Sequence, residues 1–131
     1  MIDCENAIFN AVHPYVSPLC AKNAFRNIHT PVPSVFPSAT LFEMSNTTDR
    51  TRQTGNPMED FVIVTYEAHA YALSKAECKE VFGALDETMI RLGFLRMGGT
   101  ISNNPKDTKV FEYIARYQAE FDRYGTIYRR R

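Results

Sequence analysis

The chain of 131 residues leaves room for one domain, since domains average about 150 residues. Leu, Ile, Val and Phe make up about a quarter of it, more than is typical of disordered chains. Fifteen basic and fifteen acidic residues give a net charge of zero, which excludes a global field attracting nucleic acid or anionic lipid. A neutral chain also offers little mutual repulsion, which favours assembly with other proteins.

The sequence shows no apolar run near the roughly 18 residues of a membrane span and no basic, apolar leader, so we expect no membrane partner. Its cysteines are odd in number and have no CxxC spacing, which argues against a disulfide framework and a zinc site. These features predict a protein of the reducing cytoplasm with no metal and no cofactor. The three cysteines are Cys4, Cys20 and Cys78.

The first 45 residues predict one helix and two strands. Asp3 is a candidate N-cap, and the helix is expected to stop before Pro14, because the residue before a proline disfavours helical backbone. Five prolines lie between residues 13 and 38, so we expect only an edge strand at about Leu19 to Ile28 and then an extended TPVPSVFP connection. Ala39 to Ser45 is predicted to form the next strand.

Residues 46–60, NTTDRTRQTGNPMED, contain Met58 as their one large hydrophobic residue. Such a segment cannot offset its ordering entropy by burial, so it predicts a long polar loop. Loops of this length inside a compact domain are uncommon and usually functional or disordered.

The strongest pattern runs from residue 61 to residue 93. Phe61 to Tyr71 alternates as a strand whose face Val62/Val64/Tyr66/Ala68/Ala70 is wholly apolar and predicted to meet the core. Ser74 and Glu77 match a capping box, and Gly93 suits a left-handed residue after the helix. Between them runs an apolar stripe at helical spacing, formed by Cys78, Val81, Phe82, Leu85, Met89 and Leu92.

The chain ends in two further strands, predicted at Phe94 to Ile101 and Val110 to Tyr124 around an SNNPKD turn, and a basic tail at 125–131. The whole is one domain, 1–131, of the α+β class. We expect a mostly antiparallel or mixed sheet of four to five strands. An N-terminal helix and a longer amphipathic helix should pack on one face of it.

No constellation in the sequence predicts an enzyme. His69 and Glu67 alternate on one strand and could share a metal, but without a third ligand a solvated strand face is favoured. Cys78 lies on the apolar stripe and is predicted to be a buried structural residue. Asp86 and Glu87 are predicted to be solvated carboxylates, Gly98-Gly99 to mark a bulge, and Arg129 to Arg131 to fray. We therefore expect no catalytic, cofactor-binding or metal-binding residues.

An ordered set of residues resembles the tail completion (tail terminator) proteins of long-tailed bacteriophages, also labelled minor capsid or head–tail joining proteins. The similar stretches are FPSATLFEMSNTT, VTYEAHAYALSKAECKEVFGALDETMIRLGF and YIARYQAEF, and the resemblance covers about residues 2 to 122. Its carriers are Phe36-Pro37, Glu43, Asn46, Tyr66, Tyr71, Ser74, Cys78-Lys79, Asp86, Gly93-Phe94 and Arg116-Tyr117.

The resemblance implies a structural virion protein that forms a ring, in this family a hexamer, at the head-proximal end of the tail. Such a ring caps the tail tube, joins the tail to the head connector, and is assembled in the host cytoplasm. Its expected partners are further copies of the chain, the tail tube protein and the connector or stopper protein. DNA would pass through the channel without sequence-specific binding.

In such a ring, the polar loop is the candidate partner interface, through Arg50, Arg52, Thr54 and Asn56. Guanidinium groups suit bidentate hydrogen bonds to carboxylates on a partner. An unused surface loop is the alternative. Two further functions stay open at this point: a head-completion or connector-stopper protein of the phage neck, and a small ligand-binding α+β domain.

Overall fold

A computed structural model describes residues 3–21, 24–28, 35–48, 61–103, 109–122 and 127–128. Helix α1 spans Glu5–Val16 and is followed by a short 3-10 turn at Ser17–Leu19. The second helix, α2, spans Lys75–Leu92. The strands are β1 Phe25–Arg26, β2 Ser38–Thr48, β3 Phe61–Ala72, β4 Leu95–Asn103, β5 Phe111–Asp122 and β6 Ile127–Tyr128.

The strands form one sheet in the order β1-β2-β3-β5-β4, with β6 also pairing with β5. All pairs are antiparallel except β1 with β2, so the sheet is mixed. The predicted α+β class and its two helices are confirmed, and the two-residue β6 adds a strand to the predicted number. Neither helix combines the length and hydrophobicity needed to cross a membrane, within the part of the chain that the structure describes.

Both helices contribute to a core on one face of the sheet, which we call the helix-covered face. The predicted apolar side of β3 lies here, and each of its five residues is at most 1% exposed. The facing side of β5 is buried as well, and α1 adds Ile8, Val12 and Val16. Since alternation puts every second residue of a strand on one face, these two strands direct their more polar residues to the opposite side, which we call the open face.

Helix α2 follows its predicted signals at both ends. The Ser74 hydroxyl accepts a hydrogen bond from the Glu77 N–H at 3.2 Å, which caps the first turn. Gly93 ends the helix with a φ of 112°, a left-handed conformation that favours glycine. Between these ends, the predicted stripe is buried from Cys78 to Met89.

The prediction that the first helix ends before Pro14 is wrong. Helix α1 continues through Pro14 to Val16, and Val12 and Val16 are both completely buried. Pro14 has no N–H to donate to the carbonyl four residues earlier. Its ring faces solvent, and the helix continues for one further half-turn, which places Val16 in the core. The N-cap is Cys4, and Asp3 lies one residue earlier, where its Oδ1 accepts from the Glu5 N–H at 3.1 Å.

Three other predicted boundaries move. The edge strand expected at Leu19 to Ile28 is reduced to Phe25–Arg26, although it does lie at the edge of the sheet. Strand β2 continues to Thr48, so residues 46–48 of the predicted loop pair with β3, and residues 49–60 lie outside the described part. At the chain's end, Ile127–Tyr128 of the predicted tail pair with β5, and the three terminal arginines lie outside the described residues.

Candidate assembly surface

The predicted interface residues Arg50, Arg52, Thr54 and Asn56 lie outside the described part of the chain. Among the described residues, the surface best suited to contacting another protein is at the β4 edge of the sheet. Leu95 is 54% exposed and Met97 is 58% exposed, although both lie within a strand. Exposed apolar side chains on an edge strand are a typical feature of surfaces that pair with another chain.

A bulge shapes this edge. The β4–β5 register shifts between Arg96 and Gly99, and Gly98 has a φ of 136°. A side chain at Gly99 would have its Cβ 2.8 Å from the Tyr113 ring, so glycine is needed there for close packing. The prediction that Gly98-Gly99 marks a bulge is therefore confirmed.

Beside the bulge lies a shallow groove of about 310 Å³. Its lining is mostly apolar and includes one guanidinium group, that of Arg116. The lining residues are Met97, Gly98, Gly99, Thr100, Ile114, Ala115 and Arg116. We call Leu95, Met97 and this groove the β4 edge surface. The opposite edge of the sheet is different, because it consists of the two-residue β1 in parallel pairing with β2.

A histidine network occupies the open face next to the groove. His69 Nε2 lies 2.6 Å from Glu67 Oε1, and Nδ1 lies 2.9 Å from Glu112 Oε1. Arg116 Nε lies 3.7 Å from the other Glu67 oxygen. The imidazole is also stacked between two rings, with centroids 5.9 Å from Phe42 and 5.8 Å from Tyr71.

The prediction that His69 lies on a solvated strand face is wrong, because the residue is only 3% exposed. A metal shared by His69 and Glu67 is also disfavoured. Ligand atoms at tetrahedral zinc are separated by about 3.3 Å, whereas Nε2 and the Glu67 oxygen are 2.6 Å apart, a hydrogen-bond distance. Carboxylate oxygens at both ring nitrogens give the buried imidazole a polar partner on each side.

Buried hydroxyl groups line the same face on β2. Ser38 and Thr40 are 2% and 3% exposed, and the Ser38 hydroxyl has no hydrogen-bond partner among the described residues. Thr40 pairs in register with His69, and Ser38 pairs with Tyr71. The open face is therefore polar and partly buried rather than a solvated exterior.

The cysteines lack the environment of a nucleophile. Cys78 is completely buried on α2, and its thiol lies 3.3 Å from the Ala70 carbonyl. Burial raises the pKa of the Cys78 thiol to about 11 and that of the Cys20 thiol to about 11. A reactive cysteine needs the opposite shift, so the predicted structural role of Cys78 is supported.

Asp86 was predicted to be a solvated carboxylate, but it is partly buried. Its Oδ1 accepts a hydrogen bond at 2.7 Å from the hydroxyl of Tyr117, which is completely buried. Arg96 approaches the same oxygen at 3.5 Å. Glu87 is exposed as predicted and pairs with Arg91 one turn later on the helix.

Two of the residues that organise these sites, Glu112 and Tyr117, had no structural role predicted from the sequence. The alternation of side chains along β5 puts Glu112 on the open face and Tyr117 on the helix-covered face. The sequence does not specify the register of β3 against β5, which sets Tyr71 opposite Glu112 and Tyr66 opposite Tyr117.

Three acidic side chains could hold a metal. Among the described residues, Asp3, Glu5 and Glu43 form the one group whose ligand atoms all lie within 4.8 Å of one another. They come from the start of α1 and from β2, away from the β4 edge surface. No described group of catalytic side chains accompanies them.

Comparison with known proteins identifies a structural neighbour. No protein-family model matches the chain. No curated protein matches it either. Among solved structures, the chain is similar to one in "Virion of native gene transfer agent (GTA) particle", with 12% sequence identity and a TM-score of 0.59. The match covers 86% of this chain and 92% of the other, so the two share a fold over nearly their whole lengths.

Proposed function

We propose that this protein is a structural component of a phage-type virion, and more specifically a tail terminator that forms a ring at the head-proximal end of the tail. One observation carries the proposal: the fold is shared, over 86% of the chain, with a chain of a gene transfer agent virion. The sequence resemblance to tail completion proteins points to the same setting and supplies the more specific role.

The two different edges of the sheet suit a ring. A closed ring of identical subunits needs heterologous contacts, in which one patch meets a different patch on the next copy. In our proposal, the β4 edge surface of one subunit contacts the β1 side of the next. Burying Leu95 and Met97 in this contact would remove from water two apolar side chains that are each more than half exposed.

The polar segment 49–60 is proposed as the second contact. It follows β2 and precedes β3, so both of its ends are held by the sheet. Arg50 and Arg52, with Thr54 and Asn56, would bind carboxylates and other polar groups on the neighbouring subunit, the tail tube or the connector. We propose a hexamer, in line with the resemblance, with partners in the tube and the head connector.

Electron microscopy of particles made without this protein tests the role. A tail terminator predicts over-long tails or tails unattached to heads. Heads that leak DNA beside tails of normal length would instead indicate a connector stopper, and particles of normal structure would contradict any virion role.

Complementation with surface variants tests the proposed edge. Met97→Lys should leave the fold intact and lower phage titre strongly, because it places a charge in the subunit contact. Leu73→Lys is a matched control, since Leu73 is 59% exposed and lies outside the β4 edge surface. Equal titres for the two variants would contradict the edge contact.

Shortening the segment 49–60 to an Asn-Gly turn tests the second contact separately. We expect the isolated protein to keep its unfolding midpoint, since hairpin-linked strands accept such turns. Tail completion and titre should fall. Normal titres would show that the segment has no assembly role, while leaving the edge contact untouched.

A further inference from the structure

The start of helix α1 meets strand β2 at a cluster of carboxylates. Oxygen atoms of Asp3, Glu5 and Glu43 all lie within 4.8 Å of one another. Asp3 is exposed, whereas Glu5 and Glu43 are partly buried, so the cluster lies at the border of core and solvent. Three negative charges at this separation repel one another more strongly than they would in water, because the effective dielectric constant is lower near a protein.

A buried hydroxyl next to the cluster supplies an independent observation. Tyr66 is 1% exposed, and its hydroxyl has no hydrogen-bond partner among the described residues. Tyr66 pairs in register with Glu43 on the neighbouring strand, so both side chains lie on the helix-covered face. Glu43 Oε1 is likewise shielded from solvent and without a partner in the described part.

The hydroxyl of Tyr66 lies close enough to the carboxylates for their charges to act on it. Burial raises the pKa of the Tyr66 hydroxyl well above its ordinary value, and the charges of Glu43 and Glu5 raise it further. Burial and then the charges of Glu5 and Asp3 also raise the pKa of the Glu43 carboxyl, against the hydrogen bond from Asn46, which lowers it. Buried polar groups in native proteins are nearly always satisfied. A hydroxyl and a carboxylate oxygen without partners on the same face therefore favour a bound water or ion that serves both.

We propose that Asp3, Glu5 and Glu43 bind a hard divalent cation, with the Tyr66 hydroxyl completing the site directly or through one water. Oxygen-only ligands are those preferred by Ca²⁺ and Mg²⁺. Opposing oxygens around Ca²⁺ are separated by up to about 5 Å, and around Mg²⁺ by about 4 Å. Oxygens that all lie within 4.8 Å of one another could move together around either ion. Ca²⁺ is the favoured ion because it accepts irregular coordination, whereas Mg²⁺ demands a near-ideal octahedron.

Such an ion would join two parts of the fold. Asp3 and Glu5 flank Cys4, the N-cap of α1, whereas Glu43 belongs to β2 beside the bulge between Glu43 and Ser45. Helix α1 otherwise contacts the core through Ile8, Val12 and Val16, which lie further along the helix. The cation would hold the first turn of α1 against the sheet and remove the repulsion among the carboxylates.

The test uses the full chain after chelation, titrated with Ca²⁺, Mg²⁺ or Na⁺ at equal ionic strength. We expect Ca²⁺ at millimolar concentration to raise Tm, to do so more than Mg²⁺, and Na⁺ to have no effect. Glu43→Gln should abolish the shift while the far-ultraviolet circular dichroism stays native. Glu80→Gln, which changes an exposed carboxylate on α2, should retain it.

A second readout reports the position of the ion directly. Tb³⁺ emits when sensitised by a nearby tyrosine, so tyrosine excitation should give emission that Ca²⁺ displaces. Tyr66→Phe should lose most of this emission, whereas Tyr15→Phe, a change at an exposed tyrosine, should keep it. Equal Ca²⁺ responses in Glu43→Gln and Glu80→Gln, or full Tb³⁺ emission in Tyr66→Phe, would overturn the proposed site.

Discussion

The two faces of the sheet are built differently although the same strands form both. On the helix-covered face, β3 presents an unbroken apolar row against α1 and α2. On the open face, the same strand presents Glu67 and His69, which join Glu112 of β5 in a network only partly accessible to solvent. The first face is stabilised by packing, which tolerates approximate geometry, whereas the second depends on individual hydrogen bonds.

The largest effect is expected from removing packing on the helix-covered face. Leu85→Ala should lower the free energy of unfolding by about 2–5 kcal/mol, because Leu85 is completely buried and the change leaves a cavity. Chemical denaturation measures this loss. Ile90→Ala on the same helix is the control, since Ile90 is 42% exposed and should cost less than about 1 kcal/mol. Equal losses would mean that the buried side of α2 is wrongly assigned.

A smaller effect is expected from the open face. Glu112→Leu removes the carboxylate beside His69 Nδ1 from a buried hydrogen-bond network, which should cost about 1–3 kcal/mol. Denaturation midpoints measure the change against Glu87→Leu, which removes an exposed ion pair of little expected value. If Glu112→Leu were as stable as the wild type, the network would not contribute to folding.

The hydrogen bond between Tyr117 of β5 and Asp86 of α2 should contribute still less to the free energy of unfolding. Tyr117→Phe removes the hydroxyl that donates to Asp86 and keeps the buried ring, so we expect a loss of about 1 kcal/mol. The same denaturation assay detects it. In the Asp86→Ala background the substitution should have almost no effect, because the acceptor is already absent. Additive losses would show that the two groups do not interact.

The smallest expected effect is on the reactivity of the Cys78 thiol at neutral pH. Because burial raises the pKa of its thiol to about 11, the thiol should resist iodoacetamide in the native protein and react on unfolding. Mass spectrometry after timed labelling compares it with the partly exposed Cys4. Labelling of Cys78 as fast as Cys4 would contradict its burial.

The same pKa shift has a consequence at high pH. The folded-state pKa lies above the ordinary value of 9.0, so the unfolded chain loses this proton first. The contribution of Cys78 to stability is therefore complete below pH 9 and declines as the pH rises through about 11. Cys78→Ala should make stability less dependent on pH in this window, and an unchanged dependence would contradict the shift.

The two faces also explain how much the sequence could predict. The apolar rows of β3, β5 and α2 follow from local periodicity, and so does the cap at Ser74, because each depends on residues close in the chain. The His69–Glu112 bond joins residues 43 positions apart, and only the strand register brings them together. Local rules also failed at Pro14, where burial of Val16 outweighed the usual helix stop.

The proposed assembly surface also depends on long-range pairing that local sequence patterns do not predict. The bulge at Gly98-Gly99 was predicted from the sequence, but the exposure of Leu95 and Met97 was not, because it depends on β4 being the outer strand. In the interior of the sheet, a neighbouring strand on each side would have covered more of those side chains. Strand order comes from long-range pairing, which a local pattern does not specify.

The location of this protein in the assembled particle tests the central claim most directly. Electron microscopy of particles carrying a gold-labelled copy would measure that location. A tail terminator predicts one ring of label for each particle, at the junction between tail and head. Label in the head shell, at the far end of the tail, or absent from purified particles would contradict the proposed role.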